Sequence, residues 1–222
     1  MTDDDVISLE PLAPANACVI WLHGLGADGH DFESVASAMD IADNHSLRYL
    51  FPHAPVRPVT LNGGMSMHAW YDIYGIGKAY EEDETGISES HQRLSRLIEA
   101  QIDLGIPSSR IILIGFSQGG SMVLHTGLRY QQALAGVACL SGYLSLRQSL
   151  AEQLHASQQQ TPILMMHGTD DQVVEYTLAE QSYQLLNQHQ LNMHWQQYAH
   201  GHTVSMEQLD DLSLFINHCL TE

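Results

Sequence analysis

Short apolar runs alternate along the chain with longer segments in which apolar residues recur every three or four positions. Runs of the first kind predict β-strands, because a strand buried in a sheet needs only about four to eight apolar residues. Six segments have this pattern: 17–23, 47–51, 110–115, 136–141, 162–167 and 193–198. The runs at 136–141 and 162–167 are nearly continuous in apolar residues, which is typical of strands buried on both faces.

The segments between the strands predict helices. One apolar helix face is formed by Ile87, Leu94, Leu97, Ile98 and Ile102, and another by Met206, Leu209, Leu212, Ile216 and Leu220. Gly105 can end the first helix, and Ser205 with Gln208 can form a capping box for the second. Shorter helical stretches are predicted at 32–41, 121–130 and 147–157. Strands that alternate with helices predict a mostly parallel sheet covered on both faces, with functional residues at the carboxyl ends of the strands.

Length and composition bound the class of protein. The chain has 222 residues, 44% of them hydrophobic, so we expect a single domain over 1–222 with a short acidic tail at 1–8. No apolar run approaches the roughly 18 residues of a membrane-spanning helix. The acidic N-terminus lacks the basic and apolar regions of a signal peptide, which predicts a cytoplasmic protein.

The charge and the cysteine content argue against nucleic-acid binding, membrane insertion and disulfide bonds. The 26 acidic residues against 8 Lys and Arg give a formal net charge of −18. Nucleic acids and anionic membrane surfaces attract basic faces, so we expect neither nucleic-acid binding nor stable membrane insertion. Cys18, Cys139 and Cys219 are odd in number and far apart, which argues against a disulfide framework.

The sharpest chemical signal is a serine at a strand-to-helix junction. The strand at 110–115 runs into Gly115-Phe116-Ser117-Gln118-Gly119, a G-x-S-x-G pattern, and a helical stretch follows. A turn this tight leaves room only for glycine on either side of the serine, and it lifts the serine hydroxyl above the sheet. This context predicts Ser117 as the nucleophile of a hydrolase.

A nucleophilic serine needs a histidine base, and the base needs a carboxylate that orients it. In hydrolases with this turn the chain order is serine, then aspartate or glutamate, then histidine, each after a strand. Asp170 and Asp171 follow the strand at 162–167, and His200 and His202 follow the strand at 193–198. Neighbouring side chains point in different directions, so the residues themselves leave both choices open.

The oxyanion of the tetrahedral intermediate needs two N–H donors about 3 Å away. The backbone of Gln118, directly after the serine, supplies one of them. The second is expected from the glycine-flanked loop after the first strand, within 21–26.

Taken together, many separated segments resemble the phospholipase/carboxylesterase family, that is, the small bacterial carboxylesterases and acyl-protein thioesterases. The matching segments appear in the family's order: 22–29, 51–55, 70–73, 86–87, 105–113, 115–120, 140–144, 167–174 and 201–202. The resemblance implies the α/β-hydrolase fold, with a mostly parallel central sheet flanked by helices and no cap domain. The connection at 142–161 is too short for such a cap, so we expect an open site covered at most by 61–84.

The resemblance also assigns roles to residues. It selects Asp171 and His202 as partners of Ser117, and it places the oxyanion donors at the backbone of Leu25 and Gln118. It implies an acyl pocket that includes Met67, Trp70, Tyr143 and Val173. It implies hydrolysis of carboxylic esters and often thioesters through an acyl-enzyme, with no cofactor and no metal.

A carboxylesterase acting on a small ester or thioester is therefore the first expectation. An acyl-protein thioesterase or a lysophospholipase, acting on an acylated protein or a lysophospholipid, is the alternative. A homodimer is a further expectation, since members of the family are often dimers.

Two other kinds of function, a metal-dependent hydrolase and a non-catalytic ligand-binding protein, have less support in the sequence. His200 and His202, or His167 with Asp170, could hold a hydrolytic metal, but no H-E-x-x-H pattern is present. A non-catalytic ligand-binding protein would have lost part of the serine, aspartate and histidine set, and this chain carries all three residue types at suitable positions.

Overall fold

The computed structural model describes residues 6–42, 45–75 and 82–221. Its strands are β1 (Val6–Leu9), β2 (Ala17–Leu22), β3 (Leu47–Pro52), β4 (Val56–Val59), β5 (Met65–His68), β6 (Ile111–Phe116), β7 (Gly136–Leu140), β8 (Ile163–Gly168) and β9 (Met193–Tyr198). Seven of them form one sheet in the order β1-β3-β2-β6-β7-β8-β9. All neighbours in this sheet are parallel except β1 and β3. The six predicted strands are confirmed.

The α-helices are α1 (Glu33–Ser37), α2 (Glu84–Asp103), α3 (Gln118–Arg129), α4 (Leu150–Gln153), α5 (Tyr176–Gln188) and α6 (Met206–Thr221). The predicted apolar face of α2 is buried except at Ile102, which is partly buried, and Gly105 follows the helix with a positive φ of 96°. The capping box of α6 is also confirmed: Gln208 accepts from the Ser205 N–H at 2.9 Å and donates its own N–H to Ser205 Oγ at 3.3 Å.

Apolar residues of the sheet alternate between two cores, one on each face. In β2, Cys18, Ile20 and Leu22 enter one core, whereas Val19 and Trp21 enter the other. Residues of α2, α3 and α5 pack into the first core, and residues of α1 and α6 pack into the second. The prediction of a sheet covered on both faces is therefore confirmed.

The predicted tail at 1–8 is wrong for residues 6–8, which belong to β1. Val6 lies opposite Pro52 and Leu9 lies opposite Tyr49, so β1 covers the open edge of β3. Alternate side chains pack on opposite faces, with Val6 against one core and Ile7 against the other. Residues 1–5 lie outside the described residues.

Two further segments differ from the sequence prediction. The helix predicted at 147–157 is broken into α4 and two short 3₁₀ turns, Arg147–Ser149 and Ala156–Gln158, because the backbone turns extended at Leu154. The segment at 61–84 contains β5, which pairs with β4 as a separate hairpin, and its residues 76–81 lie outside the described residues.

The connection from β7 to β8 holds only α4 and the short turns, which leaves no room for a cap domain. No helix in the described ranges has the length and apolarity needed to span a membrane.

Candidate active site

Ser117 occupies a strained turn between β6 and α3. Its backbone has φ 55° and ψ −119°, a positive φ that non-glycine residues rarely adopt. The Ser117 N–H donates to the Leu140 carbonyl at 2.8 Å, which ties the turn to β7. A Cβ added at Gly115 would lie 2.3 Å from the Gly119 carbonyl oxygen, so both ends of the turn are in backbone contact. The predicted requirement for glycine at this turn follows from this contact.

A chain of hydrogen bonds leads from Ser117 into the protein. His202 Nε2 lies 2.9 Å from Ser117 Oγ, and His202 Nδ1 lies 2.7 Å from Asp171 Oδ2. Asp171 follows β8, and His202 follows β9, so the neighbouring carboxyl ends of these strands bring them together. A carboxylate can only accept, so Nδ1 carries the proton and Nε2 offers a lone pair to the serine hydroxyl.

The Asp171 carboxylate is fully buried and held in place by its surroundings. Its side chain is 0% exposed, against 15% for the side chain of His202. Oδ1 accepts from the backbone N–H groups of Val173 and Val174 at 2.8 and 2.9 Å, leaving Oδ2 for His202. These bonds offset the cost of burying the charge and fix the orientation of the carboxylate.

His167 lies behind Asp171, where its Nε2 donates to the Val174 carbonyl at 2.8 Å and is 3.4 Å from Asp171 Oδ2. Burial lowers the pKa of His167, so its ring is neutral and adds no charge to the pair.

The neighbouring candidates Asp170 and His200 lie outside this hydrogen-bond chain. Asp170 is exposed, and its N–H donates to the His200 carbonyl at 3.1 Å. The His200 ring stacks on Tyr198 at 5.7 Å, and its Nδ1 faces the Gly201 carbonyl at 2.8 Å. Within the described ranges, no group of three or more His, Cys, Asp or Glu side chains is arranged to hold a metal ion.

The glycine-flanked loop after β2 reaches Ser117. A Cβ added at Gly24 would lie 3.4 Å from the Cβ of Ser117. The N–H groups of Leu25 and Gln118 have no hydrogen-bond partner within the described part of the chain. Both are available to a ligand, and the Gln118 N–H also lies at the positive end of α3.

Of the four residues expected in the acyl pocket, two contact this loop, one contacts Asp171, and Tyr143 contacts the residue after Trp70. Met67 Sδ lies 3.6 Å from the position of a Cβ on Gly26, and Trp70 Nε1 donates to the His23 carbonyl at 2.9 Å. The hydroxyl of Tyr143 lies 3.4 Å from that of Tyr71. Val173, 50% exposed, is bonded through its N–H to Asp171.

The side chain of Gln118 has a role that the sequence did not indicate. It is 3% exposed. It accepts from the backbone N–H of Trp70 at 2.9 Å and donates to the Tyr71 carbonyl at 2.7 Å. Gln118 thereby fixes the segment that carries Trp70 against the serine turn. The feature that could have revealed this role is a polar residue at a position that must be buried, because a buried amide needs hydrogen-bond partners.

A parallel sheet with helices on both faces and a serine at a strand-to-helix turn is the α/β-hydrolase fold. The sequence model of the phospholipase/carboxylesterase family matches residues 4–220. The chain therefore belongs to this family and is a hydrolase.

Similar proteins support the same assignment. Acyl-protein thioesterase 1 of Neurospora crassa is 39% identical over 214 residues, which are 92% of this chain and 87% of that protein. Acyl-protein thioesterase 1 of Schizosaccharomyces pombe is 40% identical over 176 residues, 79% of this chain and 78% of that protein. The crystal structure of Arabidopsis thaliana SOBER1 superposes with a TM-score of 0.88 at 30% identity and covers 93% of this chain and 100% of that one.

Proposed function

We propose that this protein is an acyl-protein thioesterase that uses Ser117 as nucleophile, His202 as general base and Asp171 as the group that orients the base. The observation that carries the chemistry is the hydrogen-bond chain from Ser117 Oγ through His202 to Asp171. The substrate class is supported by the fungal relatives, which are named acyl-protein thioesterases and match most of this chain. The acyl-protein thioesterase therefore replaces the carboxylesterase, which was the first expectation from the sequence.

The acylation step follows from the positions of these atoms. Ser117 Oγ attacks the thioester carbonyl carbon while its proton passes to His202 Nε2, 2.9 Å away. Negative charge develops on the carbonyl oxygen and is met by the N–H groups of Leu25 and Gln118. When the intermediate collapses, the C–S bond breaks, and His202 returns the proton to the cysteine sulfur. Asp171 stabilises the imidazolium in between.

The second half of the reaction regenerates the serine. A water molecule gives its proton to His202 and attacks the carbonyl carbon of the acyl-enzyme. The bond to Ser117 Oγ breaks, the proton returns to this oxygen, and the fatty acid leaves. Each proton moves through His202 Nε2, because Nδ1 is held by Asp171.

The shape of the site supports a substrate carried on a protein. The short connection between β7 and β8 places no cap domain over Ser117. An acylated cysteine on a protein surface can approach a site without a cap, with its chain placed against Met67 and Tyr143. Trp70, which the resemblance also put in the acyl pocket, is 1% exposed and offers the chain almost no surface. The homodimer and the cytoplasmic location stay predictions from the sequence.

The test compares three substrates with the same palmitoyl chain: an S-palmitoyl cysteine peptide, the matched O-palmitoyl serine peptide, and a palmitoyl lysophospholipid. We expect the thioester to have the highest kcat/KM, measured by mass spectrometry of the product. Ser117→Ala should lower kcat by on the order of 10⁴-fold or more, whereas the exposed Ser37→Ala should not.

Faster hydrolysis of the ester or of the lysophospholipid would overturn the thioesterase proposal but leave the nucleophile in place. A fluorophosphonate should add to Ser117 and to no other serine. Activity of Ser117→Ala within tenfold of the wild type would overturn the mechanism.

A further inference from the structure

We propose that His23 is a positioning residue that aims the Leu25 N–H at the reacting carbonyl oxygen. The inference rests on the proposed function, since it concerns the oxyanion of the acyl-transfer reaction. His23 directly follows β2, at the start of the glycine-flanked loop, and it is 1% exposed. Its ring is hydrogen-bonded to Gly24 and Ala54 and lies beside the rings of His68 and Trp70.

The first step is a hydrogen bond to the peptide group that carries the oxyanion donor. His23 Nδ1 lies 2.7 Å from the Gly24 carbonyl oxygen. This carbonyl and the Leu25 N–H are the two ends of one planar trans peptide unit and point in opposite directions. Holding the carbonyl on the side of the His23 ring therefore fixes the direction of the N–H, and the Gly24 end of this unit lies beside Ser117, since a Cβ on Gly24 would be 3.4 Å from the Cβ of Ser117.

The second step fixes which nitrogen donates. The Ala54 N–H donates to His23 Nε2 at 3.0 Å, so Nε2 must be unprotonated and Nδ1 must carry the proton. Burial lowers the pKa of His23 to about 4, so the ring is neutral at physiological pH. The ring is thus a rigid bridge from Ala54 to Gly24 with one possible direction of donation.

The third step is that the surrounding peptide groups are held as well. Trp70 Nε1 donates to the His23 carbonyl at 2.9 Å, and the Gly26 N–H donates to the His68 carbonyl at 2.8 Å. The His68 ring lies 2.6 Å through Nδ1 from the Ala54 carbonyl, so Ala54 supports the loop through both its N–H and its C=O. This gives a physical role to the segment at 51–55, which the resemblance singled out and no chemistry explained.

The loop needs such a support because glycine makes it deformable. Gly26 has a positive φ of 77°, and Gly24 is equally free of a side chain. Without His23, the N–H of Ala27, at 3.3 Å, would be the one donor left to the Gly24 carbonyl among the described residues. The peptide unit could then rotate and carry the Leu25 N–H away from the oxyanion.

Two substitutions separate this role from simple packing. In His23→Asn the amide nitrogen is attached at the same carbon as Nδ1, so it can still donate to the Gly24 carbonyl. In His23→Gln the amide lies at the level of Nε2, where it can accept from the Ala54 N–H but leaves the Gly24 carbonyl without its His23 donor. We expect His23→Gln to lower kcat on the S-palmitoyl peptide about 100-fold with KM within about threefold, because one oxyanion donor is misplaced. His23→Asn should stay within about tenfold of the wild type in kcat.

A trifluoromethyl ketone, which forms a tetrahedral adduct with the serine, gives a second readout. Its inhibition constant should rise in His23→Gln by about the same factor as kcat/KM falls. The exposed His194→Gln, on the edge strand β9, is the matched control and should change neither value.

Equal loss of kcat in the Asn and Gln variants, or a kcat of a folded His23→Gln within threefold of the wild type, would overturn the inference. If neither variant folds, nitrogen NMR of the wild-type imidazole decides: a proton on Nδ1 supports the bridge, and a proton on Nε2 refutes it. A wild-type enzyme that hydrolyses no ester or thioester refutes the proposed function instead, and the NMR result still decides the state of His23.

Discussion

At the scale of single residues, two pairs of neighbours offer matched tests of the mechanism. Asp171→Asn would place an amide where His202 Nδ1 needs an acceptor, and the imidazole would lose the tautomer that accepts from Ser117. We expect kcat/KM on a p-nitrophenyl ester to fall roughly 10⁴-fold. Asp170→Asn makes the same chemical change on an exposed side chain, so it should cost about tenfold or less.

The histidines should show the same contrast, because His200 faces the Gly201 carbonyl rather than Ser117. His202→Ala should abolish most of the activity, and His200→Ala should not. A larger loss in Asp170→Asn than in Asp171→Asn, or in His200→Ala than in His202→Ala, would contradict the assignment of that pair.

The sequence predicted part of this site and could not predict the rest. Ser117 is marked by a local pattern, since the turn requires glycines within two residues. The choice between Asp170 and Asp171 depends on where a loop side chain points, which no periodicity encodes, and only the family resemblance favoured one of them. The side-chain contacts of His23 and Gln118 reach partners 31 and 48 positions away, so they depend on the completed fold.

At the scale of elements, prediction succeeded where burial dictates the pattern. The strands β2, β6, β7 and β8 are almost entirely buried, so their runs are apolar except for His167 near the end of β8. The strands that were missed are short and lie at an edge or in a hairpin, with exposed positions in β1, β4 and β5. A four-residue strand with exposed positions resembles a loop in sequence.

The junction of α3 with the loop after β2 leads to a further prediction. A Cβ at Gly119 would lie 2.5 Å from the Leu22 carbonyl oxygen and 2.6 Å from that of His23. Both obstacles are backbone, so Gly119→Ala must push the serine turn away from the glycine-flanked loop after β2. We expect it to lower the free energy of unfolding by about 2–3 kcal/mol and kcat by about 100-fold, measured by urea unfolding and thioester turnover.

Gly105→Ala is the control for this substitution. Apart from its chain neighbours, no described residue comes within 4 Å of a Cβ there, but φ is 96°, so the variant is destabilised only by backbone strain. It should lose about 1–2 kcal/mol of stability and keep its kcat. Equal effects of the two variants on kcat would show that the close contact at Gly119 does not position the site.

At the scale of the whole molecule, buried neutral histidines make stability depend on pH. Burial lowers the pKa of His23 to about 4 and that of His125 to about 3, and the charge of Arg129 acts in the same direction on His125. In the unfolded chain both titrate near 6.5. Between these values the unfolded state binds protons that the folded state does not, so stability falls as pH falls below about 6.5.

We therefore expect the protein to be less stable at pH 5 than at pH 7.5, with each of these two histidines costing about 2 kcal/mol. Urea unfolding at both pH values measures the difference. His125→Gln removes one of the two groups and should shrink the difference by about the same amount. A difference that is unchanged in this variant would show that His125 does not resist protonation in the folded state.

The three cysteines determine how such an enzyme can be assayed. Cys18, Cys139 and Cys219 are buried and form no disulfide, and burial raises the pKa of Cys18 and Cys139 to about 12. Only an accessible thiolate reacts quickly with Ellman's reagent. The native protein should therefore give almost no colour with this reagent, and three equivalents once it is unfolded in guanidinium. The cysteine thiol released from each acylated peptide can then be followed continuously with this reagent, because the protein's own cysteines contribute almost no colour.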